Sequence, residues 1–336
     1  MSAGRGRRGP VPGPPAAAPE AAPFLRRNRR RGRGHAAHAR RAPPPPRFCA
    51  PLPSFPRFCY TALMNSIQQR AYAKLNLTLG VRCKRADGYH ELDMLMQQID
   101  LCDTLTVSRA TDVAVTGSGM LLPFDNSIRA AANYYRALTG RGAHIHVAKR
   151  IPAEAGLAGG SADAAATLLA LDRLYGEVGR ASLFDIALKI GADVPFCLQG
   201  GLCRAEGVGE RLTPLRGMPL HVVVAKPAQG VSTGALFRAL KLPRQMPDTA
   251  GAMRAIAAGD LPALAGCLFN ALEESAIALV PEIGALKARL LAEGALSACM
   301  TGSGSAVFGL FETRAAAEAA ASRMADLHFV CAAESV

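Results

Sequence analysis

A glycine-rich loop running straight into an alanine-rich helix is the feature that most constrains this chain. The stretch IPAEAGLAGGSADAAATLLALDRLYG, Ile151 to Gly176, sets Gly156, Gly159 and Gly160 ahead of an apolar helical pattern. Ser161 and Asp163 at the junction are residue types that favour helix starts. Glycine lets the backbone approach a phosphate closely, and the first helical N–H groups have no internal partner. The helix dipole adds roughly half a positive charge at that end. The junction therefore predicts a nucleotide phosphate site, against the plainer alternative of a tight turn before a packed helix. Two common designs are excluded. The loop ends Gly159-Gly160-Ser161 and lacks the Gly-Lys-Ser/Thr of a Walker A loop. Its G-x-x-G-G spacing is not the G-x-G-x-x-G of a dinucleotide fingerprint.

Charge is confined to one end. The 336 residues carry a net charge of +13, but residues 1–63 hold 13 Arg, no Lys and a single acid, Glu20. The remainder has 26 basic and 25 acidic residues, so the folded part gives no electrostatic argument for nucleic acid. Residues 1–63 also hold 13 of the 23 prolines and show no apolar periodicity. Such a segment cannot bury enough surface to offset its ordering entropy and is expected to be disordered. It reads as a transit peptide, a nucleic-acid-binding arm, or an over-extended reading frame with Met64 as the true start. The last is preferred, because only Ser2 and Ser54 supply the serine of a transit peptide and ordered patterning begins close to Met64. A chain starting at Met64 is expected to keep full activity; a large loss on that truncation would reject the reading.

No run of eighteen apolar residues appears, so no membrane partner is expected. None of the nine cysteines forms a C-x-x-C pair, and the odd count points to reduced thiols and a cytoplasmic setting.

From Met64 onward, Ala71–Val81 alternates Leu75, Leu77 and Leu79 against Lys74, Asn76 and Thr78, predicting a half-buried strand. Glu91–Asp100, Leu105–Val107, Val113–Val115 and Ala143–Val147 read as further strands. Asn126 and its neighbours cap a helix stopped by Gly140. Leu183–Ile190 is helical, and Val222–Ala225 opens a new region as a buried strand. Helices follow near Gly234–Leu240, Leu261–Ala278, Ile283–Ala292 and Ala315–Leu327, with strands at Ser297–Met300 and Ala306–Phe311. Clusters of strands between helices, without regular βαβ alternation, predict α+β layers rather than a doubly wound sheet. The expected boundaries are 1–63, 64–217 and 218–336.

Several residues could carry chemistry. Lys74 is either a solvated strand lysine or a cation aimed at a reacting oxygen. Asp193, in IGADVPFCLQGG, is either a cap or a partly desolvated acid with a task; Pro195 after it biases Val194 toward extended backbone. ADGYHEL, Ala86–Leu92, gathers Asp87, Tyr89 and His90 around a turn glycine. His144 and His146 alternate on one strand face without a third ligand and read as surface residues. TGSGSAVF, Thr301–Phe308, is a second polar glycine loop that could hold an anion.

Taken together, AYAKLNLTLGV, PAEAGLAGGSADAAA and TGSGSAVFGLF resemble the three motifs of the GHMP kinases, the family of galactokinase, homoserine kinase and mevalonate kinase. RADGYHEL and GADVPFCLQGGLCRAEGVGERLTPL are similar to the branch that acts on a cytidine diphosphate-linked polyol. The resemblance spans about residues 68–330 and omits the arginine-rich segment. It implies a two-domain α+β fold, with an N-terminal domain like the second domain of ribosomal protein S5 and a ferredoxin-like C-terminal domain. It implies ATP-dependent phosphorylation of the substrate's 2-hydroxyl, with homoserine or mevalonate as the alternative acceptors, and Mg2+ with no ligands assigned. Lys74 and Asp193 match the catalytic pair. Pro152, Ala153, Glu154, Ala155, Gly156, Leu157, Ala158, Gly159, Gly160, Ser161 and Ala162 match the ATP loop, and Asn126 and Lys149 the adenine side. Asn76, Tyr89, His90, Thr233 and Phe237 match substrate contacts, with Tyr89 and Phe237 placed to stack on the base. Glu154, Ala158 and Ala162 depart from the family's usual small or hydroxyl residues.

Overall fold

The computed structural model describes residues 65–240 and 245–336; the expectations for the arginine-rich segment lie outside them. The first half runs β1 (Ser66–Lys84), β2 (His90–Ala110), β3 (Val113–Ser118), α1 (Ser127–Thr139), β4 (Gly142–Ala148), α2 (Gly159–Tyr175), α3 (Arg180–Ile190), α4 (Val194–Gln199), β5 (Leu202–Gly207) and β6 (Arg211–Leu215). The second runs β7 (His221–Lys226), α5 (Thr233–Ala239), α6 (Thr249–Ala258), α7 (Leu261–Cys267), β8 (Phe269–Asn270), α8 (Glu273–Leu279), α9 (Glu282–Ala292), β9 (Ser297–Met300), β10 (Val307–Phe311), α10 (Arg314–Arg323) and β11 (Phe329–Glu334).

Two mixed α/β layers result, as the strand clustering predicts. A seven-stranded sheet has the order β3-β4-β2-β1-β8, with β5 and β6 continuing from β2. A four-stranded antiparallel sheet has the order β11-β7-β10-β9. Helix α2 packs on β1, β2, α1 and α4, and α9 and α10 pack on the smaller sheet. The short strand β8 pairs parallel with β1 through Thr78–Phe269 and Leu79–Asn270, so the second half completes the larger sheet.

Local chemistry explains the elements. Helix α1 starts where the Asn126 side chain accepts the Arg129 N–H at 3.0 Å, and it ends at Gly140, whose φ of 75° suits glycine. Helix α2 is apolar nearly all round, and ten of its residues are buried. Its alanines allow close approach to the sheet, while Leu168, Leu171 and Leu174 enter the core. Each such leucine contributes about 1.5–3 kcal/mol by burial. The β1–β2 turn is a polar hairpin: Arg85 N–H donates to the Tyr89 carbonyl at 2.7 Å, with Gly88 at φ 87°.

Four expectations need correction. Strand β1 is buried on both faces around Lys74, Asn76 and Thr78, because the second half covers its polar side: Thr78 Oγ1 meets Thr249 Oγ1 at 3.2 Å. The segments Glu91–Asp100 and Leu105–Val107 are one strand, β2, and Asp103 within it is fully buried. The single helix expected over Leu261–Ala278 is broken by β8, where buried Asn270 donates to the carbonyls of Met300 (2.7 Å) and Gly302 (2.9 Å). Val194 is not extended but opens α4, where Pro195 occupies the first turn, in which its missing N–H is no loss. Among the described residues, no helix is long and apolar enough to cross a membrane.

Candidate active site

Three segments distant in sequence converge beside the end of α2. Lys74 N–H on β1 donates to the Leu157 carbonyl at 3.1 Å. The loop between β9 and β10 joins them: Asn76 N–H donates to Thr301 Oγ1 at 3.0 Å, and Ser305 and Ala306 N–H groups donate to the carbonyls of Glu154 (3.1 Å) and Ala155 (3.2 Å). The two glycine loops lie back to back. Gly156 has φ +71°, and a Cβ there would collide with the Thr301 carbonyl. A Cβ on Gly302 would stand 2.7 Å from the Gly156 carbonyl and 2.9 Å from Lys74 Nζ.

The end of α2 forms a cradle. The helix begins at Gly159, preceded by Ala158 in the left-handed conformation, and no side chain caps it. Ser161 and Asp163 are therefore inside the first turns rather than ahead of them, and the first helical N–H groups point outward without intrahelical partners. Ser127 Oγ donates to the Gly160 carbonyl at 2.6 Å and pins the loop to α1. Residues 152–161 line a cleft of about 1500 Å3, whereas Ala162 is buried behind it. Glu154, at φ 49°, packs its carboxylate against Gly230, in the neighbourhood of Lys226.

Lys74 and Asp193 both line this cleft. The Lys74 ammonium lies 3.9 Å from the Asp193 carboxylate and donates to Asn76 Oδ1 at 2.6 Å. Register irregularities at Tyr72/Lys74 and Asn76/Thr78 flank this stretch of β1, the kind of bulge that re-aims side chains at functional sites. Lys74 is buried, and burial lowers its pKa against the pull of Asp193. Asp193 precedes α4 and makes no capping bond; its side chain is 36% exposed, which leaves it accessible to a ligand.

Beneath the cradle lies a buried charge cluster. Lys149 Nζ donates to Asp163 Oδ2 at 2.7 Å and also holds Asp103. Asp103 Oδ1 accepts the backbone N–H groups of Arg150 and Ile151. Asn126 lines the cleft while its amide is engaged as the α1 cap and as a donor to the Pro123 carbonyl at 2.8 Å. Sequence reasoning missed Asp103 and Asn270; for Asn270 the available signal was a lone polar residue inside the apolar run CLFNAL, whereas Asp103, with Asp100 and Thr104 nearby, gave none.

Also lining the cleft, the His90 and Phe237 rings pack with centroids 5.0 Å apart, tilted by 32°. Burial and nearby Lys84 lower the His90 pKa and keep its imidazole neutral near pH 7. Tyr89 stands beside them, 65% exposed. Thr233 Oγ1 meets Ser303 Oγ at 2.7 Å, linking α5 to the second glycine loop. His144 and His146 lie elsewhere, on the exposed face of β4, beside Asp112 and beside Thr116 with Ser118.

A two-sheet α+β fold with a glycine cradle, a lysine and a carboxylate in one cleft matches a recognised class. The family model "GHMP kinases N terminal domain" matches residues 126–201, and "GHMP kinases C terminal" matches residues 252–329. A relative from Alkaliphilus metalliredigens, described as 4-diphosphocytidyl-2-C-methyl-D-erythritol kinase, is 40% identical over 275 residues, covering 79% of this chain and 94% of that protein. The chain belongs to the GHMP kinases, in the branch of the 4-diphosphocytidyl-2-C-methyl-D-erythritol kinases. A crystal structure of 4-(cytidine 5'-diphospho)-2C-methyl-D-erythritol kinase superposes with a TM-score of 0.71 at 38% identity, covering 80% of this chain and 99% of that one. Homoserine kinase from Cytophaga hutchinsonii shares the fold at a TM-score of 0.65 and 18% identity, over 82% of this chain and 96% of that one.

Proposed function

We propose that this kinase transfers the γ-phosphoryl group of ATP to the 2-hydroxyl of 4-diphosphocytidyl-2-C-methyl-D-erythritol, a step of the non-mevalonate route to isoprenoid precursors. The observation that carries the reading is the meeting of Lys74 and Asp193, 3.9 Å apart, in the cleft that the uncapped end of α2 opens into. Phosphoryl transfer needs positioning and charge stabilisation more than covalent chemistry. The backbone N–H groups of Gly156–Ser161 hold the nucleotide phosphates. Asp193 takes the hydroxyl proton as the acceptor oxygen bonds to the γ-phosphorus and the bond to the leaving ADP oxygen breaks. Lys74 lowers the hydroxyl pKa and balances charge on the transferring group.

The remaining residues divide between the two substrates. Asn126 serves the adenine side; Lys149, which the motif match assigns to the same side, lies beneath Gly159 and close to the phosphates. Tyr89 and Phe237 stack on the cytosine ring, with His90, Thr233 and Asn76 as polar contacts. Residues 64–217 form the ATP-binding domain, which also lends Asn76, Tyr89 and His90 to the substrate, and 218–336 the substrate domain with Thr233 and Phe237. When bound, magnesium neutralises charge on the nucleotide phosphates. Among the described residues no three His, Cys, Asp or Glu side chains gather around a metal position.

The exposed Tyr89 and the adjoining His90–Phe237 pair favour a base-bearing acceptor over homoserine or mevalonate, which offer nothing to stack on. An ATP-consumption assay on the three alcohols side by side tests the reading. Turnover of the cytidyl substrate alone supports it, and faster turnover of either small alcohol rejects it.

A further inference from the structure

We propose that nucleotide binding is coupled to proton uptake at Asp163, a positioning residue that sets the charge beneath the phosphate cradle. The inference rests on the reading of Gly159–Ser161 as the phosphate site.

Asp163 is the fifth residue of α2, and its side chain is only 4% exposed. Its Oδ2 accepts from Lys149, while Oδ1, equally buried, has no hydrogen-bond partner. A buried acceptor without a donor is costly, and a proton on that oxygen would convert it into a donor. The charges do not balance: Lys149 is one ammonium shared by the Asp163 and Asp103 carboxylates. Asp103 has its other oxygen satisfied by two backbone N–H groups, so Asp163 is the carboxylate left short. This cluster is close to the cradle, with Lys149 Nζ 3.6 Å from the point where a Cβ on Gly159 would stand.

The other groups facing Asp163 do not supply the missing charge. From α4, Cys197 is a buried thiol that burial keeps protonated. Asp193, ahead of α4, is paired with Lys74 of β1. From α1, Ser127 is uncharged and bonded to the Gly160 carbonyl; Tyr135 of α1 is buried beside Asp172, at the other end of α2. Burial, joined by the neighbouring Asp103 carboxylate, therefore outweighs the pull of Lys149 and pushes the Asp163 pKa up to about 7. The free protein is thus partly ionised there near neutrality.

A triphosphate at the cradle adds negative charge directly above this carboxylate. If Lys149 turns toward the phosphates, Asp163 also loses its counter-ion. Both effects favour the neutral acid, so one proton moves from solvent onto the Asp163 carboxylate as the nucleotide binds. Affinity should then weaken as pH rises above about 7, because the ionised form must be protonated first, by up to roughly tenfold per pH unit.

The test is calorimetric titration of ATP, without acceptor, into the wild type and Asp163→Asn. Each is run at about pH 8 in two buffers of different ionisation enthalpy. The buffer dependence of the heat counts protons, and protonation of the nucleotide itself is common to both proteins. The expected result is close to one more proton taken up by the wild type, and a dissociation constant whose rise with pH is nearly abolished in Asp163→Asn. Equal uptake in the two proteins, or proton release, overturns the inference alone. No ATP binding to the wild type overturns the phosphate-site reading and this inference with it. Should Asp163→Asn fail to unfold cooperatively, the wild type decides: uptake at about pH 8 that vanishes at about pH 6 supports the coupling, and uptake unchanged between them rejects it.

Discussion

The Lys74 ammonium and the Asp193 carboxylate face each other at 3.9 Å, one buried in the middle of β1 and the other partly exposed ahead of α4. The asymmetry suits two different tasks. The buried cation is fixed in place by Asn76, while in the proposed mechanism the carboxylate exchanges its partner for a hydroxyl group.

Asp193→Asn keeps the shape of the side chain and removes its basicity. It should lower kcat by roughly two to four orders of magnitude, the usual scale of general acid–base catalysis, with little change in KM. Steady-state kinetics on the cytidyl substrate checks this. Near-normal turnover would reject Asp193 as the base.

Burial lowers the Lys74 pKa. The ammonium is the competent form, so activity is present at lower pH and lost as pH rises through the lowered value. The alkaline limb of kcat should therefore fall below the ordinary lysine range. Lys74→Arg cannot lose its proton and should show a lower plateau without that limb. An unchanged limb in Lys74→Arg would assign it to another group.

Tyr89 is exposed beside the His90–Phe237 pair and is free to meet a base. Tyr89→Ala should raise KM for the cytidyl substrate about 2- to 10-fold, matching the loss of a stacking contact, and leave KM for ATP unchanged. Equal effects on both substrates would count against stacking.

Gly156→Ala adds a methyl against the Thr301 carbonyl at φ +71°. The backbone conformation alone costs on the order of 1–3 kcal/mol, and the collision must be relieved by separating the two glycine loops. The urea midpoint should drop and ATP affinity should fall with it. A variant as stable and as tight-binding as the wild type would show that the loops tolerate separation.

Much of this was legible in the sequence where the signal is local. The caps of α1, the alternation of β1 and the glycine loop before α2 each depend on neighbours a few residues apart. What the sequence concealed depends on distant partners. Thr78 reads as a solvent-facing residue until Thr249 covers it. Asp103 reads as the end of a strand, because nothing nearby in sequence indicates that Lys149 and two backbone N–H groups meet its carboxylate. The break at β8 answers to Asn270 bonding Met300 and Gly302, which periodicity within residues 261–278 cannot register. At the site, motif order located the loop, but the placement of Ser161 and Asp163 inside α2 followed from Ala158 adopting a left-handed conformation, which composition disfavours.

The back-to-back packing of Gly156 and Gly302 has a consequence for biosynthesis. One wall of the cleft is encoded near the middle of the chain and its buttress close to the carboxyl end. A nascent polypeptide that has emerged only as far as β6 lacks the surface against which its first glycine loop is moulded. A product terminated before β10 should therefore be inert rather than weakly active.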